Sequence, residues 1–196
     1  MERKHHIMIS GTGRAGTTFL VELLTDLGLD TGYERENVSK KVNPKARAGL
    51  ERNIREPNTP YIIKNPNLCE CIEQVLERVD IIIDHAFVPI RDLEAAAESR
   101  IQVSKAGGSA GGLLGTDDPD KQANVLAVEL HRLLVNLVKK QIPITFIHYP
   151  KSMRDSQYLF EKLQPVLKEI EYIQFQKSFN KKFKPEWIHK YNDKDI

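Results

Sequence analysis

The chain has 196 residues, of which 40% are apolar and 29% charged, with a formal net charge of +2 at neutral pH. That balance suits one soluble globular domain spanning residues 1–196 around one substantial core, and so mild a charge gives no reason to expect a nucleic-acid surface. No apolar run is long enough to cross a bilayer and the amino terminus has no signal-type apolar core, so the expectation is a cytoplasmic protein without a membrane span.

The first elements are the most informative. Ile7–Ile9 is a short apolar run, Ser10 to Thr18 is rich in glycine and hydroxyls, and Phe19 to Leu27 carries apolar residues at helical spacing. The order is strand, glycine loop, amphipathic helix, with Gly28 placed to end the helix. Backbone N–H groups of such a loop converge on an anion at the positive end of the helix dipole. Thr17 and Thr18 open the helix and face the same anion, N-capping being the plainer role open to them. Gly11-x-Gly13-x-x-Gly16 also fits a dinucleotide fingerprint, but no strand ending in an acid follows near residues 29–36, and Leu20 is bulky where that helix should press on a sheet. The spacing Gly11-x4-Gly16-Thr17-Thr18 fits a phosphate loop in which Thr17 replaces the usual lysine and Arg14 is the cation inside the loop.

Residues 33–60 are polar, with Pro44, Pro57 and Pro60, and predict loop with a short helix. Tyr61–Ile63 reads as a second strand, with Lys64 at its end. Cys69 and Cys71 are too close together for an easy disulfide and have no second pair to complete a zinc site, so they read as reduced thiols on or near a helix face. Ile81–Ile90 reads as a third strand. Asp84 within it imitates a magnesium-binding acid, which keeps a nucleotide kinase or NTPase using ATP and magnesium as the alternative reading; the apolar run continues past Asp84, placing it mid-strand.

Arg91 ends that strand and Asp92 caps the helix that follows. Ser99 returns, nearly two turns later, to the side where the strand end points, giving an arginine fork and a hydroxyl suited to a phosphate. Residues 105–119 are glycine-rich and read as a lid or binding loop. Ile144–Ile147 is a fourth strand, and the tail from Asn180, with Trp187 and Tyr191, is basic and aromatic enough to fold over the sheet edge. Strands alternating with helices predict an α/β fold, a three-layer parallel sheet with helices on both faces and its ligand loops along one edge.

Gly11 to Leu20 resembles the 5′-phosphosulfate loop of the sulfotransferases that use 3′-phosphoadenosine-5′-phosphosulfate (PAPS), in which a lysine or arginine sits inside the loop and two hydroxyl residues end it. Arg91 and Ser99 resemble that family's 3′-phosphate motif, with Arg100 as its usual neighbour, and Tyr61 to Pro66 resembles its strand ending in Lys-x-Pro or Lys-x-His. The three motifs occur in the family's order over residues 7–100, and beyond residue 120 the likeness is one of architecture.

The resemblance implies a sulfotransferase that moves a sulfuryl group from PAPS to a hydroxyl or amine of a small molecule or glycan, releasing 3′,5′-diphosphoadenosine (PAP) and using no metal. It assigns Gly11, Thr12, Gly13, Arg14, Ala15, Gly16, Thr17 and Thr18 to the 5′-phosphosulfate, and Arg91 with Ser99 to the 3′-phosphate. Arg14 would stabilise the leaving phosphate and Lys64 would reach the transferred group. Asn65 and Asn67 stand where histidine-type members place their base, so the role passes to Glu36 or Glu34 after the first helix, with His85 and His148 as outside candidates.

Overall fold

The computed structural model describes residues 3–107, 111–185 and 188. Strands β1 (Lys4–Ile9), β2 (Ile62–Lys64), β3 (Ile81–Ile90) and β4 (Ile144–His148) form one parallel sheet in the order β2-β1-β3-β4. Ile7 of β1 pairs with Ile62 of β2 on one side and His85 of β3 on the other, and Val88 of β3 pairs with Phe146 of β4. The chain passes from β1 outward to β2, then crosses to the far side of β1 for β3. Loops after β1 and β3 therefore diverge at the carboxyl edge, where open α/β sheets bind ligands.

Both faces of the sheet are apolar because its strand residues alternate between two cores. Ile7, Ile9, Ile62, Phe87 and Ile147 join a core with helices α1 (Thr17–Asp26), α6 (Ser156–Lys162) and α7 (Tyr172–Lys182). Met8, Ile63, Ala86 and Val88 face the other way, against α2 (Leu68–Leu76), α3 (Leu93–Lys105) and α4 (Gln122–Lys139). A short α5 (Lys151–Arg154) links β4 to α6, and 3-10 turns occupy Val38–Lys41 and Pro119–Lys121. The expected three-layer arrangement, with helices on both faces, is what the chain adopts. Among the described residues no helix is long and apolar enough to cross a membrane.

Helix α1 differs from its sequence reading. Its apolar residues are spaced for one buried face, yet all ten of its residues are buried. The polar side is roofed by α7 and the turn at Val38–Lys41. Phe179 meets Phe19 edge-on at 5.4 Å, Lys181 pairs with Asp26 at 2.7 Å, and Ser39 donates to Glu22 at 2.6 Å. Gly28 takes φ 86 just past the helix, and its N–H bonds the Thr25 carbonyl at 2.9 Å, which ends α1 as expected. Asp92 accepts the Ala95 N–H at 2.8 Å and caps α3, which fixes Ser99 and Arg100 relative to the end of β3.

Candidate active site

The chain leaves β1 through Ser10, whose hydroxyl donates to the Asn65 carbonyl at 3.0 Å and ties the loop after β1 to the one after β2. Gly13, Arg14 and Gly16 then take φ of 68, 58 and 78. Such backbone suits glycine and strains arginine, so Arg14 is held in a costly conformation by its surroundings. A Cβ on Gly13 would lie 2.7 Å from Nη2 of Arg100. Gly16 is the N-cap of α1 and no side chain caps it, which leaves Thr17 and Thr18 as the first helical residues rather than caps.

These residues open onto a cavity of about 270 Å³ to which all four strand ends contribute. Gly13, Arg14, Gly16, Thr17 and Thr18 come from the loop after β1, Lys64 from the end of β2, Arg91 and Ser99 from beyond β3, and Tyr149 from beyond β4. Seven of the ten residues that the sequence assigns to the donor thus line one cavity. Gly11, Thr12 and Ala15 lie behind them and do not line the cavity. The Thr12 carbonyl accepts from Nε and Nη2 of Arg100, at 3.1 and 2.7 Å. The same guanidinium donates through Nη1 to the Gly112 carbonyl. Arg100 is 3% exposed, and burial together with the nearby Arg14 charge lowers its pKa to about 10. Its role is to lock the loop after β1 to the loop after α3.

Arg14 reaches from the loop toward α3. Its Nε donates to the Ser99 hydroxyl at 3.0 Å and its Nη1 to the Ala46 carbonyl at 2.7 Å. Arg91 donates through Nη1 to the Arg14 carbonyl at 3.0 Å, and its guanidinium lies 4.9 Å over the Tyr149 ring. The two arginines and Ser99 therefore form one connected group.

Lys64 is 2% exposed. Its Nζ donates to the Gly49 carbonyl at 2.7 Å, lies 3.4 Å from the Thr18 hydroxyl and forms an ion pair with Glu51. Burial lowers its pKa below the ordinary lysine range, and the neighbouring Glu51 carboxylate pulls it back up. Glu51 lines the cavity beside Lys64, and sequence reasoning missed it. Glu36 and Glu34, expected as the base, stand exposed on the turn ahead of Val38 and outside the cavity lining; Glu34 accepts from the Asn37 amide at 3.2 Å. His85 is turned to the Thr145 hydroxyl at 2.8 Å, packed on Phe87, with burial lowering its pKa, while His148 is exposed; neither lines the cavity.

Asp84 sits where β1 and β3 slip register between His6 and Ile7. His5 Nδ1 is 2.7 Å from one of its carboxylate oxygens, the Tyr61 hydroxyl donates to the other at 3.1 Å, and it does not line the cavity. That placement does not favour a kinase that would hold magnesium through Asp84. Cys69 donates to the Pro66 carbonyl at 2.9 Å, and burial pushes its thiol up to about 12, an inert thiol on α2.

Over its described part the glycine-rich segment after α3, read from the sequence as a lid or binding loop, lines the cavity through Gly111 to Leu114. The Leu113 N–H donates to Ser104 at 2.9 Å, and Gln122 clamps Leu114 through its N–H at 2.8 Å and its carbonyl at 3.0 Å. Residues 108–110 lie outside the described residues, as do Trp187 and Tyr191 of the tail.

Neither a family model nor a curated protein matches the sequence. Two solved structures match the fold. One is the sulfotransferase domain from the curacin biosynthetic pathway, at 17% identity and TM-score 0.51, covering 89% of this chain and 78% of that one. The other is the sulfotransferase domain from the Synechococcus PCC 7002 olefin synthase, at 12% identity and TM-score 0.53, covering 98% of this chain and 82% of that one. The cavity thus stands at the carboxyl edge of a parallel α/β sheet, and the chain that builds it has the fold of these sulfotransferase domains.

Proposed function

We propose that residues 1–196 form a sulfotransferase domain that transfers a sulfuryl group from PAPS to a hydroxyl of a small-molecule acceptor. The observation that supports it most is the union, in one cavity, of the glycine loop, the Lys64–Glu51 pair and the Arg91–Ser99 pair. Gly13 and Gly16 keep the loop in this shape, with φ of 68 and 78 and with Arg100 and Met153 standing 2.7 and 3.3 Å from where a Cβ would lie, and a glycine loop at a helix N-terminus suits an anion. When bound, PAPS supplies an activated sulfuryl group and a phosphate leaving group.

The chain's own residues then have separable tasks. Backbone N–H groups of the loop and the start of α1 hold the 5′-phosphosulfate. Lys64, beside Thr18, places a cation against the transferred group. Glu51 accepts the acceptor proton as the acceptor oxygen bonds to sulfur and the sulfur–oxygen bond to phosphate breaks. The electron pair of that bond leaves on the phosphate, where Arg14 and the loop offset it. Because Arg14 extends from the loop to Ser99, one guanidinium serves both ends of the donor.

The test is calorimetric binding of PAP, followed by PAP release from PAPS across a panel of hydroxylated small molecules. Micromolar-range PAP binding with acceptor-dependent PAP release is the expected result. Absence of PAP binding, or stabilisation by ATP with magnesium in its place, overturns the proposal.

A further inference from the structure

Glu51 belongs to no helix or strand, and its side chain is 37% exposed. Its place therefore depends on how the surrounding chain is tied down. The stretch begins with a turn at Asn43, whose side-chain oxygen accepts the N–H groups of Lys45 at 3.0 Å and Ala46 at 3.1 Å, and whose N–H bonds the Ala48 carbonyl at 2.9 Å. Gly49 and Leu50 follow with φ of 126 and 66. Such backbone costs free energy for a residue with a Cβ and persists only where the surroundings over-determine it. Leu50 is 5% exposed in the core on the α1 side of the sheet, and Ile54 is buried in the core on the other side. Glu51 thus stands between two side chains anchored on opposite faces.

Between those anchors the segment lies along the end of β2. The Arg52 N–H bonds the Lys64 carbonyl at 3.0 Å. The return bond comes from a side chain: Nδ2 of Asn65 donates to the Arg52 carbonyl at 3.3 Å. Oδ1 of Asn65 accepts the Asn67 N–H at 3.0 Å, which sets the orientation of the amide. The Asn65 backbone N–H bonds the Ile9 carbonyl at 3.0 Å, and its carbonyl accepts from Ser10. One residue therefore joins the end of β1, the start of α2 and the segment that carries Glu51. Asn65 does not line the cavity, so it acts through the residues it holds.

We infer that Asn65 is a positioning residue for sulfuryl transfer, its amide fixing Glu51 against Lys64 and the glycine loop by closing the second hydrogen bond to Arg52. The inference rests on the reading above that Glu51 accepts the acceptor proton. With the Lys64 carbonyl alone, the Arg52 peptide is held at one end and can swing. The second bond fixes both ends, and with them the point from which the Glu51 side chain departs.

The experiment compares wild type, Asn65→Ser, Glu51→Gln and the double variant. Serine keeps an oxygen for the Asn67 N–H and is too short to reach the Arg52 carbonyl. PAP affinity by calorimetry should stay within about threefold throughout. Single-turnover PAP release from PAPS, with a hydroxylated small molecule that wild type sulfates, should fall about tenfold to a hundredfold in Asn65→Ser, the cost of a displacement of about 1 Å. Added to Glu51→Gln, the same substitution should cost nothing more, because no base is left to misplace. Asn65→Asp, equal in shape but without the donor, should reproduce the loss, and it replaces the serine variant if that one fails to fold. Unchanged transfer, or an equal loss with and without Glu51, overturns this inference and leaves the sulfuryl-transfer reading standing. Near-normal transfer by Glu51→Gln overturns the assignment of the base and this inference with it. Failure of wild type to bind PAP overturns the proposed function as well.

Discussion

Lys64 is an ammonium buried beside the glycine loop, opposite one partly exposed carboxylate. Glu51→Gln removes the proposed proton acceptor while leaving the loop intact. PAP affinity should stay within about threefold, and sulfuryl transfer should fall by roughly 10²–10⁴, the usual contribution of a positioned base. Single-turnover PAP release alongside calorimetry separates the two effects, and a variant with near-normal transfer removes Glu51 from the role. The depressed Lys64 pKa has its own consequence. The folded chain gives up this proton at a lower pH than the unfolded chain, whose lysine titrates near 10.5. Stability contributed by Lys64 therefore rises as pH climbs through the folded value toward 10.5, and is lost as pH falls back through it. In thermal melts across that window, wild type should gain on Lys64→Met with rising pH; parallel curves would mean that the lysine is solvated.

Helix α1 carries the glycine loop at one end, and α7 packs against it. Phe179 is 4% exposed and packs against Phe19 and Phe175, with Phe183 stacked at 5.9 Å. Phe179→Ala should cost about 3–5 kcal/mol in denaturant unfolding, the range for truncating a buried aromatic. A loss under 1 kcal/mol would mean that α7 is dispensable to the core. The sequence made the strands legible, since β1 to β4 are short apolar runs with polar breaks between them. It made the glycine loop and the Asp92 cap legible too, because their geometry is local. Residues whose place depends on the tertiary path were hidden. Glu51 and Arg47 lie in a polar stretch without periodicity, and they reach the cavity only through the Asn43 turn and the Arg52 N–H bond to the Lys64 carbonyl. Pro44 signalled loop there, but not its path. The enclosure of α1 was likewise invisible, because the acids Glu22 and Asp26 read as solvent-facing until Ser39 and Lys181 supply their partners.

The ends of all four strands deliver cations or hydroxyls to one edge of the sheet, with Glu51 the single acid among the described residues that line the cavity. A ligand carrying several negative charges should therefore bind with marked salt dependence. Raising ionic strength from about 0.1 to 1 M shortens the screening length from about 10 to 3 Å, so PAP affinity should drop steeply and adenosine affinity hardly at all. Titrations at the two salt levels test this, and equal slopes for both ligands would contradict it. The helix that follows the glycine loop belongs to the first quarter of the chain, and α7, which covers part of it, belongs to the last. A protease nick between α6 and α7 would cut no lining residue of the cavity, yet it would leave the helix that covers α1 held by its packing alone.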